Sequence, residues 1–298
     1  MRGSAPAGTQ YFDSQRVRTY WEAVYRTALR PGPRDELTDD MLRPVCDARA
    51  SGFLNRLMNW TQREAVAWAL RRAPIEWQAS RVLDVGCGTG RWSRLLHERG
   101  AAVVGVDLTA QAVEAAAALV PEGEFHRLDL LAMEFPAGEF DLALSVTVLQ
   151  HLPYPEQEEV MRRLRRFLKP GGYLVILEHV RDRGAHMFAR DFADWVRLAA
   201  RSGLAPRAVR GYQFFPLLRL EKALRRRVPA PLGSGGSVAA AVRPPIHSAG
   251  GAPNFAKAMY RGAVLAGLVA GSFPAEAAAR TILPKSFATH GAFVFAAV

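Results

Sequence analysis

The stretch RVLDVGCGTGRW, from Arg81 to Trp92, restricts the possible folds more than any other part of the chain. Val82 to Val85 form an apolar run with one acidic interruption, Asp84, and read as a short buried strand. Gly86, Gly88 and Gly90 follow at alternate positions, allowing a tight turn and a close backbone approach that side chains would block. From Arg91 onward, Trp92, Leu95 and Leu96 fall on one helical face. A strand, a glycine turn and a helix in that order build the ligand-holding corner of an open α/β sheet, at the carboxyl ends of its strands.

The rest of the chain continues that rhythm. AAVVGVDL reads as a second strand and TAQAVEAAAALV as a helix, with FHRLDL and FDLALSVTVL as the third and fourth strands. The helix from Pro155 to Leu168 carries Glu156, Glu158 and Glu159 early and Arg162, Arg163, Arg165 and Arg166 late, matching the helix dipole. Lys169-Pro170-Gly171-Gly172 stops it, and YLVILEHV is the fifth strand. An amphipathic helix then presents Phe188, Phe192, Trp195 and Val196 and ends near Gly203. A sixth strand is expected over Arg207 to Gln213, and GAFVFAAV makes the last. Ahead of the glycine turn, SQRVRTYWEAVYRTAL is helical, and a second helix is expected to start at the Thr61-x-x-Glu64 capping box. The turn-rich RPGPRDELTDD between them reads as a mobile connection.

Alternation of this kind predicts an α/β fold with a doubly wound, mostly parallel sheet. Four segments follow: N-terminal leader and helices over 1–70, a core over 71–215, a helical cap insertion over 216–283 and a final core strand over 284–298. The cap contains LLRLEKALRRRV, a flexible LGSGGS loop and the apolar NFAKAMYRGAVLAGLVAGSF, and is expected to cover the open end of the sheet.

Charge sets the insertion apart. The chain has a formal net charge of +11, and Pro216 to Leu283 holds nine Lys and Arg against two acidic residues. Such a segment suits an anionic acceptor, a membrane surface or nucleic acid, although a solvated basic face looks the same. The longest apolar run, Gly262 to Phe273, falls short of the ~20 residues a bilayer span needs. MRGSAPAGTQ lacks the apolar core of a secretory signal and reads as a disordered leader. With only Cys46 and Cys87, no disulfide framework is expected, which favours a cytoplasmic setting.

The glycine pattern discriminates among nucleotides. A dinucleotide turn needs its third glycine one position later, where Arg91 stands, and no G-x-x-x-x-G-K-[ST] loop occurs. Asp84 would repel a pyrophosphate but suits a ligand bearing an ammonium group, which favours S-adenosylmethionine. Asp107 ends the second strand, where a carboxylate can accept from both ribose hydroxyls, or can simply cap the next helix.

VLDVGCGTG, VVGVDL, RLDL, FDLALSVTVLQHL and LKPGGYLVI, in this order over Arg81 to Val180, resemble the motifs of class I, Rossmann-like S-adenosylmethionine-dependent methyltransferases. The resemblance implies a seven-stranded sheet whose last strand is antiparallel. It implies that Asp84, Gly86, Cys87, Gly88 and Gly90 face the methionine part and that Asp107 holds the ribose. Leu108 would pack on the adenine, Asp129 would accept from its amino group beside Leu130, and Val146 would lie on the sulfonium side, within Ser145 to His151. The long insertion departs from the simplest members, so substrate identity is expected there.

For chemistry, His151 in VLQHL is the leading general-base candidate, followed by His179 and Glu178 at the end of the fifth strand. Cys87 reads as a small turn residue rather than a nucleophile. No metal site is expected, although His179, Asp182 and His186 could converge. The expected function is methylation of a small molecule, on oxygen in a secondary metabolite or sugar-bearing intermediate. Phe214, Phe215, Phe255, Met259 and Tyr260 suggest an enclosed organic acceptor. The alternatives are N- or C-methylation, RNA methylation and a non-catalytic S-adenosylmethionine-binding protein. Against RNA stands the lack of a basic stripe interleaved with aromatics, so no specific nucleic-acid partner is expected.

Overall fold

The computed structural model describes residues 14–29, 38–46, 52–181, 187–215 and 271–298. Seven strands form one sheet: β1 (Arg81–Val85), β2 (Ala102–Asp107), β3 (Glu124–Arg127), β4 (Phe140–Val146), β5 (Leu168–His179), β6 (Leu204–Tyr212) and β7 (His290–Ala297). Their order is β3-β2-β1-β4-β5-β7-β6. β7 pairs antiparallel with both β5 and β6, while the other pairings are parallel.

Strand alternation explains the two buried faces. Leu83, Val85, Val104, Val106, Ile176 and Phe293 point to the side covered by α6 (Tyr154–Phe167) and α7 (Phe192–Arg201). Val82, Leu142, Leu144, Val175 and Val294 point the other way, toward α3 (Gly52–Leu70) and α4 (Arg91–His97). With both faces covered, the strands read as near-continuous apolar runs. α5 (Ala110–Leu119) follows β2 and buries Ala112, Ala115 and Ala116. α1 (Ser14–Ala28) and α2 (Asp39–Val45) lie by the glycine turn, where Thr89 Oγ1 donates to the Met41 carbonyl at 3.2 Å.

Several elements differ from expectation, among them α2, which starts inside the stretch read as a connection, and β5, which begins at Leu168 and takes in Lys169 to Gly172. The second N-terminal helix does not start at Thr61: α3 begins nine residues earlier, at Gly52, and Thr61 is a buried mid-helix residue. Its hydroxyl donates to Met58 O at 2.8 Å and accepts from Gln213 Nε2 at 2.9 Å, so tertiary contact and not capping explains it. Phe188 lies before α7, because Asp191 caps that helix by accepting from Asp194 N at 2.7 Å. β6 starts at Leu204, ahead of the expected Arg207.

Most of the expected cap, residues 216–270, lies outside the described residues. Residues 271–282 are helical (α8), and their Glu276 is fully buried. It accepts from the backbone N–H groups of Phe214 at 2.7 Å and Phe215 at 2.6 Å. Phe273 meets Trp60 of α3 edge-on at 5.2 Å. No helix among the described residues is long and apolar enough to cross a membrane.

Candidate active site

The site starts at the glycine turn. Gly86 and Gly88 have φ of +67° and +56°, in the region L side chains avoid. A Cβ on Gly86 would come within 2.4 Å of Val148, and one on Gly88 within 2.7 Å of Val45. Gly90 does something else: it starts α4, and a Cβ there would strike the Ala116 backbone at 2.8 Å. It is a helix-packing glycine.

Asp84 and Asp107 stand on either side of this turn. Asp84 is buried, its Oδ2 accepting from Ser93 Oγ at 2.6 Å while Oδ1 has no partner among the described residues. Burial raises its pKa to about 6, against the opposing hydrogen bond from Ser93 and the charge of Arg91. Asp107 accepts from Gly88 N at 3.1 Å and from Thr109 N at 3.0 Å, which ties the first two strand ends together. Burial raises its pKa as well. The helix-capping alternative is therefore partly real, since the N–H of the α5 cap residue, Thr109, is held by Asp107. Cys87 is buried, and burial pushes its thiol far up, which makes it a poor nucleophile.

Beyond β4 the chain makes a sharp corner, with Thr147 at φ +59°. Glu178 sits fully buried beneath it, its carboxylate accepting from Leu149 N at 3.0 Å and from Val148 N and Gln150 N at 3.2 Å. Burial raises its pKa to about 8 despite those bonds. Glu178 thus anchors the 3-10 turn Leu149–His151 and does not reach the cavity as a base. Gln150 adds a second tether, accepting from His179 N at 2.8 Å while its amide nitrogen lies 3.4 Å from His151 Nε2. Trp21 of α1 meets the His151 ring edge-on at 5.2 Å.

These parts line one cavity of about 1380 Å³. Gly86, Cys87, Gly88, Asp107, Leu108, Asp129, Leu130 and Val146 are on its wall, with His151 and His179. Asp84 and Gly90 stand behind the wall. Asp129 caps the turn Leu130–Ala132, accepting from Leu131 N at 3.0 Å. Asp182 and His186 lie outside the described residues, as do Phe255, Met259 and Tyr260.

The far end of the cavity holds residues that spacing along the chain did not single out. Register across β5 and β7 places His179 opposite His290, with ring centres 3.6 Å apart. Thr289 Oγ1 donates to Gln213 O at 2.7 Å and lies 2.9 Å from His290 Nδ1. With the hydroxyl proton committed to Gln213, Nδ1 of His290 is the donor in that contact, which leaves Nε2 as the basic nitrogen of the neutral ring. Gln213, at φ +58°, reaches Thr61. Arg91, Trp92 and Gln62 close the wall from the α3 and α4 side.

A mostly parallel sheet with an antiparallel β7, a glycine turn after β1 and an acidic end to β2 make this core similar to that of class I, S-adenosylmethionine-dependent methyltransferases. Residues 82–172 match the family model described as a methyltransferase domain. The chain is 37% identical to the trans-aconitate 2-methyltransferase of Azoarcus sp. (strain BH72) over 142 residues, covering 46% of this chain and 54% of that protein. It is 29% identical to the ubiquinone biosynthesis O-methyltransferase of Ralstonia nicotianae over 177 residues, covering 50% of this chain and 72% of the relative. The chain thus spans about half the length of the first of these relatives. The crystal structure of the 4+2 cyclase SpnF aligns over 98% of this chain and 97% of its own, with a TM-score of 0.53 and 17% identity, a likeness of fold.

Proposed function

We propose that this protein methylates a hydroxyl oxygen of a small organic acceptor, as found in secondary metabolites and sugar-bearing natural products, with S-adenosylmethionine as donor. One observation carries the reading. A single cavity has the glycine turn and Asp107 at one end and a wall of histidines and amides at the other. Its volume exceeds that of an ordinary ligand pocket, ~300–1,000 Å³, which leaves room for donor and acceptor together. The names of the relatives, which include an O-methyltransferase and a carboxylic-acid methyltransferase, agree with a small acceptor.

The residues present fit the donor. Gly86 and Gly88 hold the positive-φ turn on the cavity wall, and Asp107 Oδ2, which accepts from Gly88 N alone, keeps a lone pair for a ribose hydroxyl, since Oδ1 already accepts from the N–H and hydroxyl of Thr109. When bound, S-adenosylmethionine supplies a methyl group activated by its sulfonium. The chain's own task is alignment, which can supply ~7–11 kcal/mol, and removal of the hydroxyl proton. In this proposal His151 takes that proton, on a turn that Glu178 anchors and with its ring packed edge-on against Trp21.

Incubation with methyl-labelled S-adenosylmethionine and a panel of catechols, hydroxybenzoates and glycosides should label one of these classes, whereas label only in trans-aconitate, which has no hydroxyl, would move the reaction to a carboxylate oxygen. His151→Gln should lower turnover at saturating acceptor by ~10²-fold with unchanged affinity for S-adenosylhomocysteine. Full retention of turnover in the variant would remove His151 as the base. Label in RNA and in none of the small molecules would overturn the acceptor class.

A further inference from the structure

The basic balance of the chain takes a definite shape where β6 and α8 meet α3. Arg72 lies over the Trp68 ring at 4.4 Å, and Arg210 of β6 reaches the same ring at 5.8 Å. Arg280 of α8 lies over the Trp60 ring at 4.5 Å. Arg72 also donates from Nη1 to Trp68 O at 3.1 Å, so its guanidinium is held in place. Burial lowers the Arg210 pKa, and the charges of Arg280, Arg72 and Arg71 lower it further, with Glu64 opposing. Among the described residues none of these four arginines forms an ion pair. The fold gathers like charges here at a cost in repulsion.

An apolar tip stands beside them. Ile282, 76% exposed, ends α8, Leu283 follows, and Phe287, 50% exposed, closes the 3-10 turn Lys285–Phe287. Of the six large apolar side chains exposed among the described residues, three are gathered in this one link between α8 and β7. The link is firmly built: Ala279 packs with Phe214 and Ala288, Phe287 N donates to Pro284 O at 3.0 Å, and Arg181 donates to Ser286 O. It abuts the arginines, since a Cβ on Gly211, next to Arg210, would come within 3.0 Å of Lys285 Cα. Thr289 and His290, just beyond it, line the far end of the cavity.

Exposed apolar side chains flanked by cations find both their partners at one kind of surface. The hydrocarbon boundary of a bilayer takes the apolar tips, and anionic headgroups take the guanidiniums. A nucleic acid would match the arginines but leave Ile282 and Phe287 in water. We propose that the tip of α8 and the arginine cluster dock this protein reversibly on an anionic phospholipid surface. The docking does not depend on the methyltransferase reading.

Flotation of the full chain tests it, with vesicles of phosphatidylcholine alone or with about 30% phosphatidylglycerol. Wild type should float with the anionic vesicles at low salt, bind the neutral ones about tenfold or more weakly, and detach in ~0.5 M salt. Ile282→Ser with Phe287→Ser should weaken binding to the anionic vesicles about tenfold or more. Arg72→Gln with Arg210→Gln should weaken it as well and flatten its salt dependence. Should the arginine pair fail to fold, the apolar pair and the salt titration of wild type decide alone. No flotation at low salt overturns the proposal, as does equal binding to neutral vesicles. Unchanged flotation of the apolar pair overturns it too, and polyuridylate binding lost with Arg72→Gln would then assign the arginines to nucleic acid. A wild-type dimer in sedimentation that the apolar pair disperses would give the tip to a second copy of the chain and overturn the membrane.

Discussion

Glu178 shows how a single residue can hold the site and tune it to pH. Its ordinary pKa of 4.5 is raised to about 8 by burial, so between those values the folded chain holds a proton the unfolded chain has released. The stability this contributes is present at low pH and lost as pH rises toward about 8. Asp84 acts with the same sign only up to about 6. Thermal unfolding should therefore show Tm falling between about pH 6 and 8, and Glu178→Gln should flatten that slope. A slope unchanged in the variant would place the titrating group elsewhere. Reading the sequence found Glu178 as a spare base, because only the fold reveals the three N–H groups waiting beneath the corner. Asp107 and the glycines were legible because their constraints are local: a strand end, a turn and positive φ. Arg91 was visible only as the residue displacing a third glycine. His290 was not visible at all, since its pairing with His179 spans residues 179 to 290 and exists only in the strand register.

At the scale of elements, the strands were plain because apolar runs bounded by glycine, proline and acidic residues have few other homes. The start of α3 was misplaced because Thr61 and Glu64 reproduce a capping box inside a longer helix. No local pattern separates a threonine that caps from one that bonds Gln213 across the fold. α8 offers a test of how the acceptor end is held. Gln213 and Phe215 both adopt positive φ, and each such residue costs ~1–3 kcal/mol unless its surroundings enforce it. Glu276 is the clamp, accepting from Phe214 N and Phe215 N. Glu276→Ala should lower unfolding free energy in urea by ~1–3 kcal/mol for each orphaned donor, and Glu276→Gln by less. An alanine variant as stable as wild type would mean that α8 does not hold this corner.

Across the whole molecule, the decisive feature is the place of β7. It lies between β5 and β6 in the sheet yet follows both in the chain. Phe293, Val294 and Phe295 are fully buried and contribute to both faces of the core. Deleting residues 284–298 should abolish the cooperative thermal transition seen by circular dichroism, along with nucleoside binding. A truncated chain that still melts sharply would mean β5 and β6 can close on each other. The same order matters while the protein is being made. Residues 213–289 separate the end of β6 from the start of β7, a stretch the ribosome takes about 4–15 s to translate. For that interval the bonding edges of β5 and β6 that β7 later fills are complete and unmatched, open to pairing with any neighbouring nascent chain. The fold therefore ties its yield in the cell to translation speed over this stretch and to whatever chaperone shields those edges until Phe293 emerges.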